Sequence, residues 1–301
     1  MRFGRLVFSL LMLISTPVIA QFGDYEDHYI QNADVKLHYV TRGSGPVILF
    51  LHGFPDFWFT WKFQMDALSA THQVVAMDLR AYNHSEGPKD VDGYTMTTLM
   101  TDVVAVIDDL DAEKVTLIAN DWGGAIAWQV ATYYPSKVAQ LVVCNIPHPV
   151  SLSNYIRLHP ETADYTQKNE SPNATEYWTI KQLMESSGAK ESALSAEYKK
   201  SFERSNLQGM LHYYAASYPA PTKLSSVAPG PATIKKIRCP VLMIHGLQDA
   251  AFPPGTLNDH WLWIDNTFTL HTIPDAGHFV QREAPEKVLT LIRNWLASHT
   301  D

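Results

Sequence analysis

One polar pair interrupts an apolar run near the middle of the chain. Residues 117–124 read LIANDWGG, and apolar residues then resume with helical spacing. This pattern predicts a strand, a sharp turn and a helix, with Asp121 exposed at the turn, where a nucleophile belongs. A serine is usual at that position, whereas a carboxylate forms an ester with an electrophilic carbon and suits displacement at sp³ carbon. Epoxides and alkyl halides are therefore the candidate substrates.

Hydrolysis of an ester on Asp121 needs two further residues, a base that activates water and an acid that orients the base. His278 follows the last strand-like run of the chain, and Asp249 follows the run before it. A single Asp or His in a loop is more often a capping or solvated residue. Three such residues at strand ends, in the order nucleophile, acid, base, predict a catalytic triad.

An oxyanion hole is predicted from the segment 52–55, which reads HGFP and ends a buried strand. A loop of this kind places the backbone N–H of Phe54 opposite that of Trp122, the residue after the nucleophile. Pro55 has no N–H and limits the donors available there. Alone, this segment would fit an ordinary Gly-Pro turn equally well.

The elements that position these residues alternate between strand and helix. Such succession predicts a parallel sheet covered by helices on both faces, with ligands bound outside the carboxyl ends of the strands. Two short strands are predicted within 29–42 and further strands at 47–51, 73–79, 138–146, 241–246 and 267–273; helices are predicted at 58–68, 94–110 and 285–298.

The pattern changes between residues 147 and 232, where polar helical segments separated by prolines replace the strand-like runs. We interpret this region as an inserted helical cap. The core then consists of residues 21–146 and 233–301.

Residues 1–20 differ from the rest, with two arginines before a short apolar run and a small-residue ending at Ala20. They predict a secretory signal peptide, cleaved near Ala20, and an exported protein that is periplasmic or secreted. The apolar run is too short for a stable membrane anchor.

The chain contains two cysteines, Cys144 and Cys239. We expect both to be free, because they fall at opposite ends of neighbouring strands.

The 301 residues carry a formal charge of −8 without any run of Lys and Arg. This balance argues against nucleic acid or an anionic membrane surface as a partner. The sequence leaves open whether the protein is a monomer or a homodimer.

From about residue 29 to its end, the chain resembles the epoxide hydrolases of the α/β-hydrolase fold, close to the soluble epoxide hydrolase domain. The shared motifs are the HGFP and DWGG segments, Gly277-His278, and the acid at Asp249. The resemblance implies a mostly parallel, eight-stranded sheet with a helical cap. It implies an epoxide and water as substrates, with no cofactor and no metal.

The family also uses two cap tyrosines that donate hydrogen bonds to the epoxide oxygen. Tyr214 matches the second of these, in the segment 209–214, which reads GMLHYY. Tyr165 matches the first, with Tyr177 as the competing position. Further contacts to the substrate are expected from His52, Trp58, Asn145, His148 and Phe279.

Two other functions stay open. A haloalkane or haloacid dehalogenase uses the same Asp-His-Asp triad, although Phe54 stands where the haloalkane enzymes usually have Asn or Trp. A non-catalytic secreted binding protein is the alternative from another class; such proteins typically lose a triad residue, and this chain has all three.

Overall fold

The computed structural model describes residues 25–171, 173–189, 194–218 and 234–299. The predicted signal peptide lies outside these residues. Eight strands form one sheet in the order β1-β2-β4-β3-β5-β6-β7-β8. The strands are β1 (Glu26–Asn32), β2 (Val35–Arg42), β3 (Val47–Leu51), β4 (Gln73–Met77), β5 (Val115–Asn120), β6 (Val138–Cys144), β7 (Val241–Gly246) and β8 (Phe268–Ile273).

Only the amino-terminal edge of the sheet is antiparallel: β2 pairs antiparallel with β1 and with β4, and all other neighbours are parallel. The mostly parallel, eight-stranded sheet of the α/β-hydrolase fold is thereby confirmed. Parallel pairing needs a crossover between strands, which explains the alternation of strands with helices along the chain.

Two apolar clusters cover the two faces of the sheet, because successive side chains of a strand point in opposite directions. In β3, Leu49 and Leu51 belong to one cluster, and Ile48 and Phe50 belong to the other. All six residues of β5 are buried, as a central strand covered on both faces requires.

Five helices of the described chain belong to the core: α1 (Lys62–Leu68), α2 (Met96–Asp109), α3 (Asp121–Tyr133), α10 (Val280–Glu283) and α11 (Pro285–Ser298). The helix predicted at 285–298 has these bounds in the structure. The helix predicted at 58–68 begins instead as a 3₁₀ turn, Trp58–Trp61, and becomes α-helical at Lys62.

Six helices lie between β6 and β7 in the described part of the chain: α4 (Pro149–Leu158), α5 (Asp164–Glu170), α6 (Ala174–Tyr177), α7 (Ile180–Ser186), α8 (Ser195–Arg204) and α9 (Leu207–Ser217). This helical region is anchored on the loop after β4, where the Tyr213 hydroxyl donates to the Arg80 carbonyl at 2.9 Å and the Asn206 N–H to the Ala81 carbonyl at 2.9 Å. The cap boundaries at 147 and 232 stay a prediction, and residue 232 lies outside the described residues.

Cys144 and Cys239 are both buried and free, as expected. Burial raises the pKa of both thiols and keeps them protonated.

Within the described ranges, no helix is long and apolar enough to cross a membrane. No group of three or more His, Cys, Asp or Glu side chains suited to a metal ion occurs in those ranges either.

Candidate active site

The turn between β5 and α3 holds Asp121 in a left-handed conformation, with φ of 51°. That conformation is uncommon for a residue with a side chain, and the sharp turn from strand to helix requires it here. Gly123, in the first turn of α3, permits the tight packing that the turn needs, since a Cβ there would lie 2.4 Å from the His52 carbonyl oxygen. The helix N-terminus also favours the negative charge of Asp121.

Asp121 meets the predicted oxyanion hole directly. The Phe54 N–H donates to Asp121 Oδ1 at 2.7 Å. Trp122 is the second residue of α3, where a backbone N–H has no acceptor within the helix. Gly53 leaves room for the carboxylate, because a Cβ at that residue would lie 2.2 Å from Asp121 Oδ1. The two predicted N–H donors thus lie at the two chain segments that flank the carboxylate.

His278 lies between the two carboxylates predicted to complete the triad. Its Nε2 is 3.4 Å from Asp121 Oδ2, and its Nδ1 is 2.9 Å from Asp249 Oδ2. Burial lowers the pKa of His278, but the Asp249 charge and the Asp121 hydrogen bond outweigh it and raise that pKa to about 10. The imidazole is therefore protonated at neutral pH.

Asp249 is fixed by backbone and side-chain donors on the loop after β7. Its Oδ1 accepts the N–H groups of Ala251 at 2.8 Å and Phe252 at 3.0 Å. Burial by itself would raise the pKa of this carboxyl, but His278 and the donors around Asp249 lower it below its usual range. Asp249 is therefore an ionised, immobile acceptor that orients the imidazole.

Asn145, at the end of β6, orients the acid instead of contacting substrate. Its Nδ2 donates to Asp249 Oδ2 at 2.7 Å and to the Gly277 carbonyl at 3.0 Å, and its Oδ1 accepts the Gly246 N–H at 3.2 Å. The side chain is completely buried. Asn145 thus links the two loops that carry the acid and the base, and the expectation of a substrate contact here is wrong.

Two cavities border on Asp121, and both are lined by Asp121, Tyr165 and Tyr214. We call the first the Leu152 cavity; its volume is about 150 Å³, and it is walled by apolar residues such as Leu152. The second, the Lys168 cavity, has about 210 Å³ and also contains His278 and Phe279, which matches the substrate contact expected of Phe279.

The structure separates the two alternatives for the first cap tyrosine. Tyr165, on α5, is partly buried and lines both cavities, as does Tyr214 on α9, which is 4% exposed. Tyr177 is 46% exposed and its hydroxyl accepts from Lys168 Nζ at 3.3 Å, outside both cavities. Burial raises the pKa of Tyr165 and Tyr214 well above the usual value, so both hydroxyls keep their protons and act as donors.

Three residues expected to contact substrate lie outside the cavities, and those expectations are wrong. His52 is completely buried and its Nε2 accepts the Leu79 N–H at 3.0 Å, which fixes the loop that carries Phe54. His148 is buried against Trp263 and caps α4. Trp58 packs on other aromatic rings in the first helical turn after β3.

Tyr218 and Asn169 are among the polar cavity residues that sequence reasoning missed. Tyr218 lines the Leu152 cavity and directly follows α9, four residues after Tyr214, and this spacing was an available signal. Asn169, buried on α5, lines the Lys168 cavity. Its spacing of four residues from Tyr165 is the corresponding signal.

Comparison with known proteins gives consistent similarities. Residues 46–285 match the family described as alpha/beta hydrolase fold. Epoxide hydrolase 1 of Caenorhabditis elegans is 31% identical over 90% of this chain and 70% of that protein. Epoxide hydrolase 4 of Homo sapiens is 29% identical over 90% of this chain and 78% of that protein. A Bacillus megaterium epoxide hydrolase in complex with an inhibitor is 30% identical, with a TM-score of 0.79, over 90% of this chain and 100% of that one.

Proposed function

Because the chain belongs to the epoxide hydrolase family of the α/β-hydrolase fold, we propose that it hydrolyses an epoxide to a vicinal diol through an ester on Asp121. One observation carries this proposal: the Asp121 carboxylate and the hydroxyl-bearing side chains of Tyr165 and Tyr214 line the same cavities. A carboxylate nucleophile facing two phenol donors suits a leaving group that is a ring oxygen.

In the first step, a carboxylate oxygen of Asp121 attacks an epoxide carbon and forms a C–O bond. The bond from that carbon to the ring oxygen breaks, and the oxygen leaves as an alkoxide that accepts hydrogen bonds from Tyr165 and Tyr214. Such donors stabilise charge that develops in the transition state, so they act on the rate of ring opening.

The proton for this alkoxide comes from His278. The imidazolium is stabilised by two carboxylates. Ester formation removes the charge of Asp121, so the affinity of His278 for its proton falls as the alkoxide forms. Loss of that proton leaves a hydroxyl on the ester and a neutral imidazole. His278 is then ready to act as a base.

In the second step, His278 takes a proton from water, and the hydroxide attacks the ester carbonyl of Asp121. The tetrahedral oxyanion accepts hydrogen bonds from the N–H groups of Phe54 and Trp122. Collapse of the intermediate expels the diol oxygen, which takes the proton back from His278. The carboxylic acid left on Asp121, which contains one oxygen from water, gives its proton to His278, and this restores the carboxylate and the imidazolium.

The variant His278→Gln tests this mechanism with styrene oxide. We expect ester to form more slowly than in the wild type, because the alkoxide must then take its proton from water, and to accumulate without turnover, because the base for the second step is absent while Asp121 is intact. Mass spectrometry should show a mass increase of one substrate on the peptide that contains Asp121. Asp121→Asn is the matched control, since it keeps the shape of the side chain but should take up no label.

Isotope labelling distinguishes the ester mechanism from direct attack of water on the epoxide. In a single turnover of the wild type in ¹⁸O water, the label should enter Asp121 and not the diol. Label in the diol would instead mean that water attacks the epoxide directly, and it would refute the ester. Chloride release from haloalkanes without diol formation from epoxides would favour a dehalogenase.

We further propose that the protein is exported after cleavage near Ala20, on the basis of residues 1–20 alone. The native protein should begin near Gln21 and occur outside the cytoplasm. An intact Met1 on cytoplasmic protein would contradict this.

A further inference from the structure

The loop after β8, which carries His278, has its carbonyl groups fixed by two asparagines. Asn145 Nδ2 donates to the Gly277 carbonyl at 3.0 Å, and Asn120 Nδ2 donates to the His278 carbonyl at 3.2 Å. Asn120 is the last residue of β5, and Asn145 directly follows β6. The central strands of the sheet therefore hold this loop through its carbonyl groups.

The N–H groups of the same loop are held by one carboxylate, that of Glu283. The Gly277 N–H donates to Glu283 Oε2 at 2.6 Å, and the Phe279 N–H donates to Glu283 Oε1 at 2.9 Å. Gly277 and Phe279 are the immediate neighbours of His278 in the chain. Each oxygen of the planar carboxylate thus accepts one N–H, one on either side of the base, and these charge-assisted hydrogen bonds keep the two N–H groups at a fixed separation.

Capping of a helix explains only one of these two bonds. Glu283 is the last residue of α10, a helix of four residues that begins directly after Phe279. A Glu that accepts the N–H of the residue before a helix is typical of a capping box and stabilises the start of that helix. The bond to Gly277 has no such role, because Gly277 lies two residues before Phe279 and outside the helix. It acts on the loop that carries His278.

We propose that Glu283 is a positioning residue for His278: its carboxylate fixes the backbone on both sides of the base and keeps the imidazole between Asp249 and Asp121. This inference rests on the proposed function. His278 Nδ1 donates to Asp249 Oδ2 at 2.9 Å, and Nε2 is 3.4 Å from Asp121 Oδ2. Both distances depend on where the backbone of His278 lies, and a displacement of roughly 1 Å costs on the order of 10²-fold in rate.

The exposure of Glu283 distinguishes this role from a contribution to stability. Because the side chain is exposed, water can satisfy both N–H groups when the carboxylate is removed. The melting temperature should therefore change little. Separate water molecules do not keep the two N–H groups at one separation, so the loss should affect the geometry of the base more than the stability of the fold.

The variant Glu283→Ala removes both acceptor oxygens. We expect ester hydrolysis to slow by about tenfold or more, because His278 must take a proton from a water that lies against the ester carbonyl. Ring opening should slow too, but less, since the alkoxide can take its proton from water. Ester should therefore accumulate on Asp121 during turnover of styrene oxide, which mass spectrometry detects. A wild-type rate of ester hydrolysis in Glu283→Ala would overturn the inference.

Two further variants separate the two hydrogen bonds from the charge. Glu283→Gln keeps one acceptor oxygen, so its rate of ester hydrolysis should lie between those of Glu283→Ala and the wild type. Glu286→Ala is the matched control, because it removes the same charge from an exposed side chain in the first turn of α11. It should leave both rates unchanged. Equal slowing by Glu286→Ala would overturn the inference, since a change of charge alone would then explain the effect.

A double-mutant cycle tests whether Glu283 acts through the base. The variant His278→Gln lacks the imidazole, so adding Glu283→Ala to it should not slow ring opening further, although Glu283→Ala alone slows that step. The same slowing in both backgrounds would overturn the inference, because it would show that the substitution disturbs the site by a route other than His278.

The orientation of His278 can also be observed without substrate. At neutral pH the proton on His278 Nδ1 is held in the hydrogen bond to Asp249, and it should give a downfield signal in the proton NMR spectrum. We expect this signal to shift or disappear in Glu283→Ala and to stay in Glu286→Ala. An unchanged signal in Glu283→Ala would overturn the inference whatever the rates.

The NMR comparison separates this inference from the proposed function. No diol and no ester from the wild type with any epoxide would refute the proposed function, and with it the part of Glu283 in the reaction. The signal of His278 would still decide whether Glu283 orients the imidazole. Melting temperatures of all variants show whether each one is folded.

Discussion

Gly53 is the residue at which a single methyl group should do most damage to the site. A Cβ on Gly53 would lie 2.2 Å from Asp121 Oδ1, 2.4 Å from its Cβ and 2.7 Å from its Cγ, so the whole carboxylate is in the way. The carboxylate has to move by roughly 1 Å to reach an ordinary contact distance, and a misplacement of that size costs on the order of 10²-fold in rate. Overpacking should also destabilise the fold by about 1–3 kcal/mol.

The assay for Gly53→Ala is single-turnover alkylation, followed by mass spectrometry of the Asp121 peptide, with urea unfolding measured in parallel. Gly277→Ala is the matched control, since the nearest atom to a Cβ there is the flexible carboxylate end of Glu283, at 3.1 Å, and the Gln248 carbonyl oxygen lies at an ordinary contact distance of 3.5 Å. It should alkylate at a rate within about tenfold of the wild type, because a flexible end can give way. Alkylation by folded Gly53→Ala at the wild-type rate would refute the account of how Asp121 is positioned.

Four further predictions concern charged groups and their hydrogen bonds. Ring opening should slow as pH rises through about 10, where His278 loses the proton that protonates the alkoxide, whereas ester hydrolysis should not fall there; stopped-flow pH profiles of the two steps test this. Asn145→Ala should slow ester hydrolysis by about tenfold or more, because Asp249 loses a donor and orients His278 less well; the same stopped-flow assay measures it. Asp78→Asn should destabilise the fold by about 3–5 kcal/mol, because it breaks a buried pair. His38 has its pKa raised by the carboxylates against burial, so its share of that stability is complete below pH 6.5 and lost as pH rises through the raised value, which urea unfolding at several pH values tests.

The sequence predicted the triad positions because they depend on local signals: a strand end, a turn and chain order. The structure places His278 within hydrogen-bonding or ion-pair distance of both Asp121 and Asp249. The sequence could not predict that His52 and His148 face away from the cavities. Both follow strands as catalytic residues do, and only the three-dimensional packing shows that each one supports backbone instead.

The helical region was harder to predict, because its residues are brought together by the packing of several short helices. Tyr165 and Tyr177 are both near the sequence position expected for the first cap tyrosine. The sequence could not show which helix face contacts the core. In the structure the choice follows from burial, with Tyr177 exposed and Tyr165 at the cavities. Asn169 supports Tyr214 from a different helix, a relation that no spacing in the chain encodes.

The two cavities that border on Asp121 have a stereochemical consequence for the proposed reaction. An epoxide with two unequal substituents places one in the Leu152 cavity, of about 150 Å³, and the other in the Lys168 cavity, of about 210 Å³. Reversing the substrate exchanges the ring carbon that faces the carboxylate, and attack inverts the configuration of the carbon that is attacked. The relative fit of the two substituents therefore sets regiochemistry and configuration together. If the proposed ester mechanism holds, mirror-image epoxides that bind in opposite directions would be converted to a single enantiomer of the diol.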